Sequence, residues 1–430
     1  MQSKKLKEFT KLPNGMRVAS ENSGHPSATV GIWIDSGSRN ETDANNGVAH
    51  FLEHMSFKGT TTRTQRDIEL EIENMGALLN AYTSREMTVY YAFVDKKDIK
   101  SALTIIADIL QRSTFPADLL ERERYVICRE MEEVTSDNEE FLFDILHGVA
   151  YENSPLSRTI LGPEENIMSL KKDDIISYIQ KNYSCDRIVI CGAGGVCHEE
   201  LVRIAQEQFS NFPNRTSFYN KFYKGGEKRI SDTSMPLGHV VLSFEGSSWS
   251  HPNFFPFQLA SQLIGSWNRF AGGNVNESNP LANRVAESDL AHKFMSFTTC
   301  YAETGLWGAC FSSEPNKVRE MAYAVIDEWN RLVYNADESD LARAKQILKM
   351  MCMNSVDSTQ QVCDEIGRQI LTIGRRMSPA EAIARIDAVN LVEVRTLLQK
   401  TLRSPLAIAA VGQIEDLPDY NKLISAIKVS

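Results

Sequence analysis

Arg187-Ile188-Val189-Ile190-Cys191-Gly192-Ala193 reads as a strand, and a second run of the same kind, Pro405-Leu406-Ala407-Ile408-Ala409-Ala410-Val411, follows it in the later part of the chain. A short apolar run of this kind reads as a strand. Working outward from the first run, amphipathic patterns over 172–183 and 198–208 predict flanking helices. Further upstream, a hairpin at 9–20 turns through Pro13-Asn14-Gly15, whose Asn-Gly pair supplies positive φ angles. Strands are expected over 28–36, 77–82 and 87–94, and helices over 48–55, 64–74, 97–111, 116–135 and 141–151. Asn45-Asn46-Gly47 precedes the first of these helices, and an Asn there can cap its free N–H groups. Around the second run the order is similar: strands at 238–245, 293–301 and 305–311, with helices at 254–264, 315–334, 337–353 and 360–370. Strands and helices mix without a regular β-α-β beat, so the fold class is α+β with two related halves, an internal duplication. The expected division is 1–212, a polar linker at 213–236 containing Gly225-Gly226, and 237–430.

The 430 residues carry 56 acidic and 46 basic side chains, a net charge of −10. That balance argues against a nucleic-acid binder and suits a basic ligand. Hydrophobic residues at 42% and charged residues at 24% exclude a disordered or collagen-like chain. No apolar run is long enough for a transmembrane helix, and 1–8 lacks the apolar core of a secretory signal. The eight cysteines form no CxxC pair and read as separate thiols.

Chemistry concentrates at His50-Phe51-Leu52-Glu53-His54. Residues four apart share a helix face, so His50 and His54 can ligate one zinc, while Glu53 can take a proton from the water that the metal activates. A catalytic zinc site wants three protein ligands. Glu130, in Arg129-Glu130-Met131, is the best third candidate, and Glu123 lies two turns earlier on the same helical face, placed to orient a ligand. Two ordinary hydrogen-bonded histidines remain the alternative at this point. From Glu121 to Asp144 nine acidic residues face three arginines, a local charge of −6. Within that run Glu140 and Asp144, at i,i+4, can clamp a guanidinium; a solvated helix face is the competing reading.

His50-Phe51-Leu52-Glu53-His54-Met55-Ser56-Phe57-Lys58-Gly59-Thr60 resembles the signature of the pitrilysin-type (inverzincin) metallopeptidases. Four further stretches resemble the β-type branch of the mitochondrial processing peptidases. They are 79–86 (LNAYTSRE), 121–131, Arg158-Thr159-Ile160-Leu161-Gly162-Pro163, and 301–308 (YAETGLWG). The likeness spans Leu12 to about Ile414, and the core proteins of bc1 complexes share it. It implies two α+β halves with mostly antiparallel sheets around a central cavity, and one Zn2+ on the N-terminal half. It further implies a zinc endopeptidase that removes Arg-containing presequences from imported precursors in a mitochondrial matrix, or that of a related organelle. By the same resemblance His50, His54 and Glu130 match the metal ligands. Glu53 matches the general base, Glu123 and Tyr301 further catalytic positions. Phe57, Asn80, Ala81, Tyr82, Glu140 and Asp144 match substrate-binding positions. Expected partners are basic extended peptides and a homologous α-type subunit, with self-association or a monomer as alternatives. Two departures stand out: Gly272-Gly273 is too short for the glycine-rich loop of an α subunit, and the first strand begins near Phe9, leaving little room for a transit peptide. The competing functions are a structural core subunit of a bc1 complex and a general oligopeptidase.

Overall fold

The computed structural model describes residues 6–136, 138–209, 212–213, 221–271 and 279–428. Asp137 of the acidic run and Gly272-Gly273 lie outside the described residues.

The first sheet holds six strands in the order β1-β2-β6-β3-β5-β4: β1 Leu6–Lys11, β2 Arg17–Asn22, β3 Ser27–Ile34, β4 Leu78–Thr83, β5 Thr88–Asp95 and β6 Ile188–Gly194. The second has the order β7-β12-β8-β11-β10-β9: β7 Gly226–Ser231, β8 Gly238–Glu245, β9 Ser266–Asn268, β10 Lys293–Cys300, β11 Gly305–Ser313 and β12 Ala407–Gly412. β2 with β6 and β7 with β12 are parallel, and every other pair is antiparallel. Five strands correspond in order, β2-β6-β3-β5-β4 to β7-β12-β8-β11-β10. The two apolar runs, β6 and β12, occupy equivalent places, each parallel to one neighbour and antiparallel to the other. The chain is α+β and duplicated. The polar stretch 213–236 contains a strand, β7, that its sequence does not announce. It is an edge strand whose residues are half-buried or exposed, so no apolar alternation is required of it.

The chain divides into two compact units that interleave along the sequence. The first is Met1–Glu133, Arg158–Phe218 and Asn354–Met377; the second is Val134–Ser157, Tyr219–Met353 and Ser378–Ser430. Five helices bear on the site: α1 Val48–Ser56, α2 Ile99–Arg112, α3 Ala117–Ser136, α4 Asn138–Ala150 and α5 Thr359–Ile373. In the first unit α2 packs on β3 and β5, and α5 packs on β6, β3 and β2. β3 is therefore covered on both faces, which explains why every residue from Ala28 to Ile34 is buried. A Cβ on Gly367 would sit 2.3 Å from the Trp33 ring, so α5 lies this close to the sheet only because glycine is there. In the second unit α4 packs on β12, β8 and β7. Each sheet is thus closed by a helix from the other half of the sequence.

Candidate metal centre

α1 buries Phe51, Leu52 and Met55 in the core of the first unit. That fixes its opposite stripe, where His50 is buried and His54 half-buried. α3 runs alongside, with Ile127 buried between the two acidic positions. Arg124 holds this helix in place: its guanidinium donates to the carbonyls of Ile167 and Leu170 and lies 5.7 Å from the Phe51 ring centroid.

The ligand atoms of His50, His54 and Glu130 all lie within 4.8 Å of one another. His50 Nε2 is 3.5 Å from Glu130 Oε1, and His54 Nε2 is 3.2 Å from Glu130 Oε2. An ion held at ~2.1 Å in tetrahedral geometry separates its ligands by ~3.4 Å, so the side chains present fit zinc. The second imidazole nitrogen of His54, Nδ1, is 3.2 Å from Glu123 Oε2, and Lys58 Nζ lies 2.5 Å from the other oxygen, Oε1. His54 is oriented by the carboxylate–histidine pairing that metal-binding histidines normally show.

Electrostatics follow from this packing. Hydrogen bonds from His50 and then His54 hold the Glu130 carboxyl far below its usual range. Burial opposes charge on His54, but Glu130 and Glu123 outweigh it and raise the imidazole above its ordinary value. Glu53 Oε2 and His50 Nδ1 are buried and have no hydrogen-bond partner among the described residues. This carboxylate oxygen, one residue from His54, is left available to accept a proton from another molecule.

The other expected positions fall in two places. Phe57 is the residue after α1, half-buried, with its ring 6.4 Å from that of Tyr90. Asn80, Ala81 and Tyr82 lie on β4, the terminal strand of the first sheet. Asn80 is exposed, and the Tyr82 hydroxyl donates to Asp364 Oδ1 of α5 at 2.5 Å. Glu140, Asp144 and Tyr301 belong to the second unit. Glu140 is exposed and Asp144 half-buried, one turn apart on α4. Tyr301 is buried, with its hydroxyl 2.6 Å from His147 Nε2.

At the start of α1 the structure corrects the sequence reading. The N-cap is Gly47, at φ 103°, and it offers no side-chain cap. Asn46 does not cap; its amide donates to Glu41 Oε2 and to the Thr159 carbonyl. Sequence reasoning also missed Lys58 and Glu41. Lys58 lies beyond the C-cap of α1, so no helical spacing ties it to Glu123. Glu41 lies outside any periodic segment and gives no signal either.

Comparison with known proteins adds to this geometry. The family described as Insulinase (Peptidase family M16) matches residues 17–164, and the Peptidase M16 inactive domain matches 169–348. A mitochondrial-processing peptidase subunit beta of Rattus norvegicus is 48% identical over 428 residues, covering 98% of this chain and 87% of its own length. The subunit of the same name from Blastocladiella emersonii is 46% identical over 428 residues, 98% of this chain and 92% of its own. A chain of complex III2 from Candida albicans superposes with a TM-score of 0.89 at 23% identity, covering 98% of this chain and 99% of that one. This last likeness speaks for the fold alone.

Proposed function

Because the chain belongs to the insulinase-type (M16) peptidase family, among the mitochondrial-processing peptidase β subunits, we propose that it is a zinc endopeptidase that removes Arg-containing presequences from imported precursor proteins. The observation that carries this is the convergence of His50, His54 and Glu130 beside the unpartnered Glu53 Oε2. Zinc, when bound, lowers the pKa of water toward neutrality and polarises a carbonyl. Glu53 Oε2 accepts the proton of the attacking water and returns it to the leaving amide nitrogen. Glu123, bonded to His54 Nδ1 and neutralised by Lys58, keeps that imidazole aimed.

The substrate lies extended along β4, whose free edge can take it as an added strand, so backbone bonding supplies affinity without reading sequence. Phe57 lines the pocket after the cut, and Glu140 with Asp144 receives an arginine before it. Tyr301 contributes from the second unit. Along the sequence, 1–212 is the catalytic half and 237–430 the non-catalytic half, with the exchange that 134–157 packs in the second compact unit and 354–377 in the first. The protein works in a mitochondrial or related matrix with a homologous α-type subunit. No helix among the described residues is long and apolar enough to cross a membrane. A purely structural core subunit of a respiratory complex would need neither Glu53 nor Glu130.

Replacing Glu53 with Gln tests the reading. The amide cannot act as a base, so turnover of a presequence peptide should fall by at least ~100-fold. Zinc content should stay at that of the parent, since Glu53 is not a ligand. Loss of zinc as ready as in His50→Ala would refute the assigned roles.

A further inference from the structure

We propose that Glu41 is the positioning residue of the metal helix: its carboxylate, reaching in from outside, fixes the start and rotation of α1 and so aims His50, Glu53 and His54. The first N–H groups of any helix lack intrahelical partners, and a side chain at the N-cap usually takes one of them. Gly47 cannot. Glu41 does so instead, with Oε2 accepting from the Gly47 N–H at 2.9 Å and Oε1 from the Ala49 N–H at 2.7 Å. Its Oε2 also accepts from Asn46 Nδ2 at 2.7 Å, and Asn46 is tied to the Thr159 carbonyl at 2.8 Å.

The stretch 158–166, which includes the RTILGP run, closes over this turn. Asn166 Nδ2 donates to the carbonyls of Asp43 and Asn46 at 2.9 and 3.2 Å. A Cβ on Gly162, at φ 77°, would lie 2.2 Å from the Asn46 oxygen, and one on Gly47 would lie 2.4 Å from the Leu161 oxygen. Both glycines are thus required for the two backbones to approach.

The leverage comes from proximity. Ala49, held by Glu41, immediately precedes His50, and slipping the helix start by one residue would swing every side chain by about 100°. Metal ligands tolerate only about ±0.2 Å in distance. A neutral Asn or Ser at the N-cap would cap a helix without burying a charge, but position 47 has no room for a Cβ. Glu41 is instead buried, and burial pushes its carboxyl up to about 7 against the pull of the Ala49 and Gly47 N–H groups. The arrangement favours placement over stability.

The inference rests on the metal-centre reading, and Glu41→Gln in the full chain separates the two. The amide keeps the shape but turns one acceptor oxygen into an NH2 that faces a backbone N–H. Zinc should pass to a chelator about 10-fold faster, the size of effect typical of groups that orient metal ligands. Well below the unfolding midpoint, kcat should fall while KM changes little. A variant with only a lowered midpoint, whose folded molecules keep zinc and kcat at parental values, overturns the proposal. Should Glu41→Gln not fold, Asn46→Ala removes one donor to the carboxylate and its tie to Thr159. Unchanged zinc retention and kcat in that variant overturn the proposal equally. A parental chain that holds no zinc would instead sink the metal-centre reading.

Discussion

His54 is the residue on which the candidate metal centre turns, since a carboxylate meets each of its two nitrogens, Glu123 at Nδ1 and Glu130 at Nε2. In the metal-free chain its raised pKa means that the protonated ring is favoured by folding. A raised imidazole contributes stability in full below its unfolded value, near 6.5, and loses it as pH rises through the folded value. Zinc needs the neutral ring, so acid opposes loading at this position more strongly than at a free histidine. Followed by NMR in the metal-free protein, the His54 ring should titrate above 6.5, and Glu130→Gln should bring the midpoint down. An unchanged midpoint in that variant would mean that the 3.2 Å contact contributes nothing in solution. The sequence disclosed His50, Glu53 and His54 because a helix imposes a fixed spacing on them. It could not disclose Glu41 or the exact partner of Lys58, because those contacts depend on a loop and on a neighbouring helix.

Among elements, the proposed function assigns specificity to α4 and β4, and peptides test both. The reaction itself needs no arginine in the substrate, so selection must come from side chains other than those at the metal. Two carboxylates one turn apart suit a planar guanidinium fork better than an ammonium. Crossing Glu140→Gln with Asp144→Asn against peptides carrying Arg or Ala before the cut should give a coupling in kcat/KM that survives moderate salt. Longer-range attraction by the −10 chain fades beyond ~8 Å at physiological ionic strength. In the same peptide series, proline at a residue whose N–H pairs with β4 should block cleavage. No coupling, with cleavage indifferent to proline, would leave α4 a solvated face and β4 an ordinary edge. β4 itself was legible from its β-branched and aromatic partner β5 and the Gly76 stop before it. β7 was not, because an edge strand with solvent on it carries no alternation. Its place is set by its parallel pairing with β12.

At the scale of the whole molecule, the duplication was visible in the order of elements, since each half must repeat the same apolar runs to build its sheet. The exchange of helices was not, because α5 would read the same whichever sheet it covered. That exchange bears on biosynthesis. The last strand of the first sheet ends at Gly194, yet the helix that covers it begins at Thr359, so the 164 residues 195–358 lie between them. A nascent or translocating chain must therefore carry an unfinished sheet, with Trp33, Val89, Val189 and Cys191 wet, until Val362, Cys363, Ile366 and Ile370 arrive. α4 waits in the opposite sense, made before any strand of the sheet it covers. The halves are consequently poor candidates for separate expression. A fragment of residues 1–218 should bind a hydrophobic dye and self-associate, and a peptide of residues 354–377 should suppress both. Were the fragment monomeric and dye-silent alone, α5 would be an accessory to a sheet that matures early, and the long wait on the ribosome would carry no hazard.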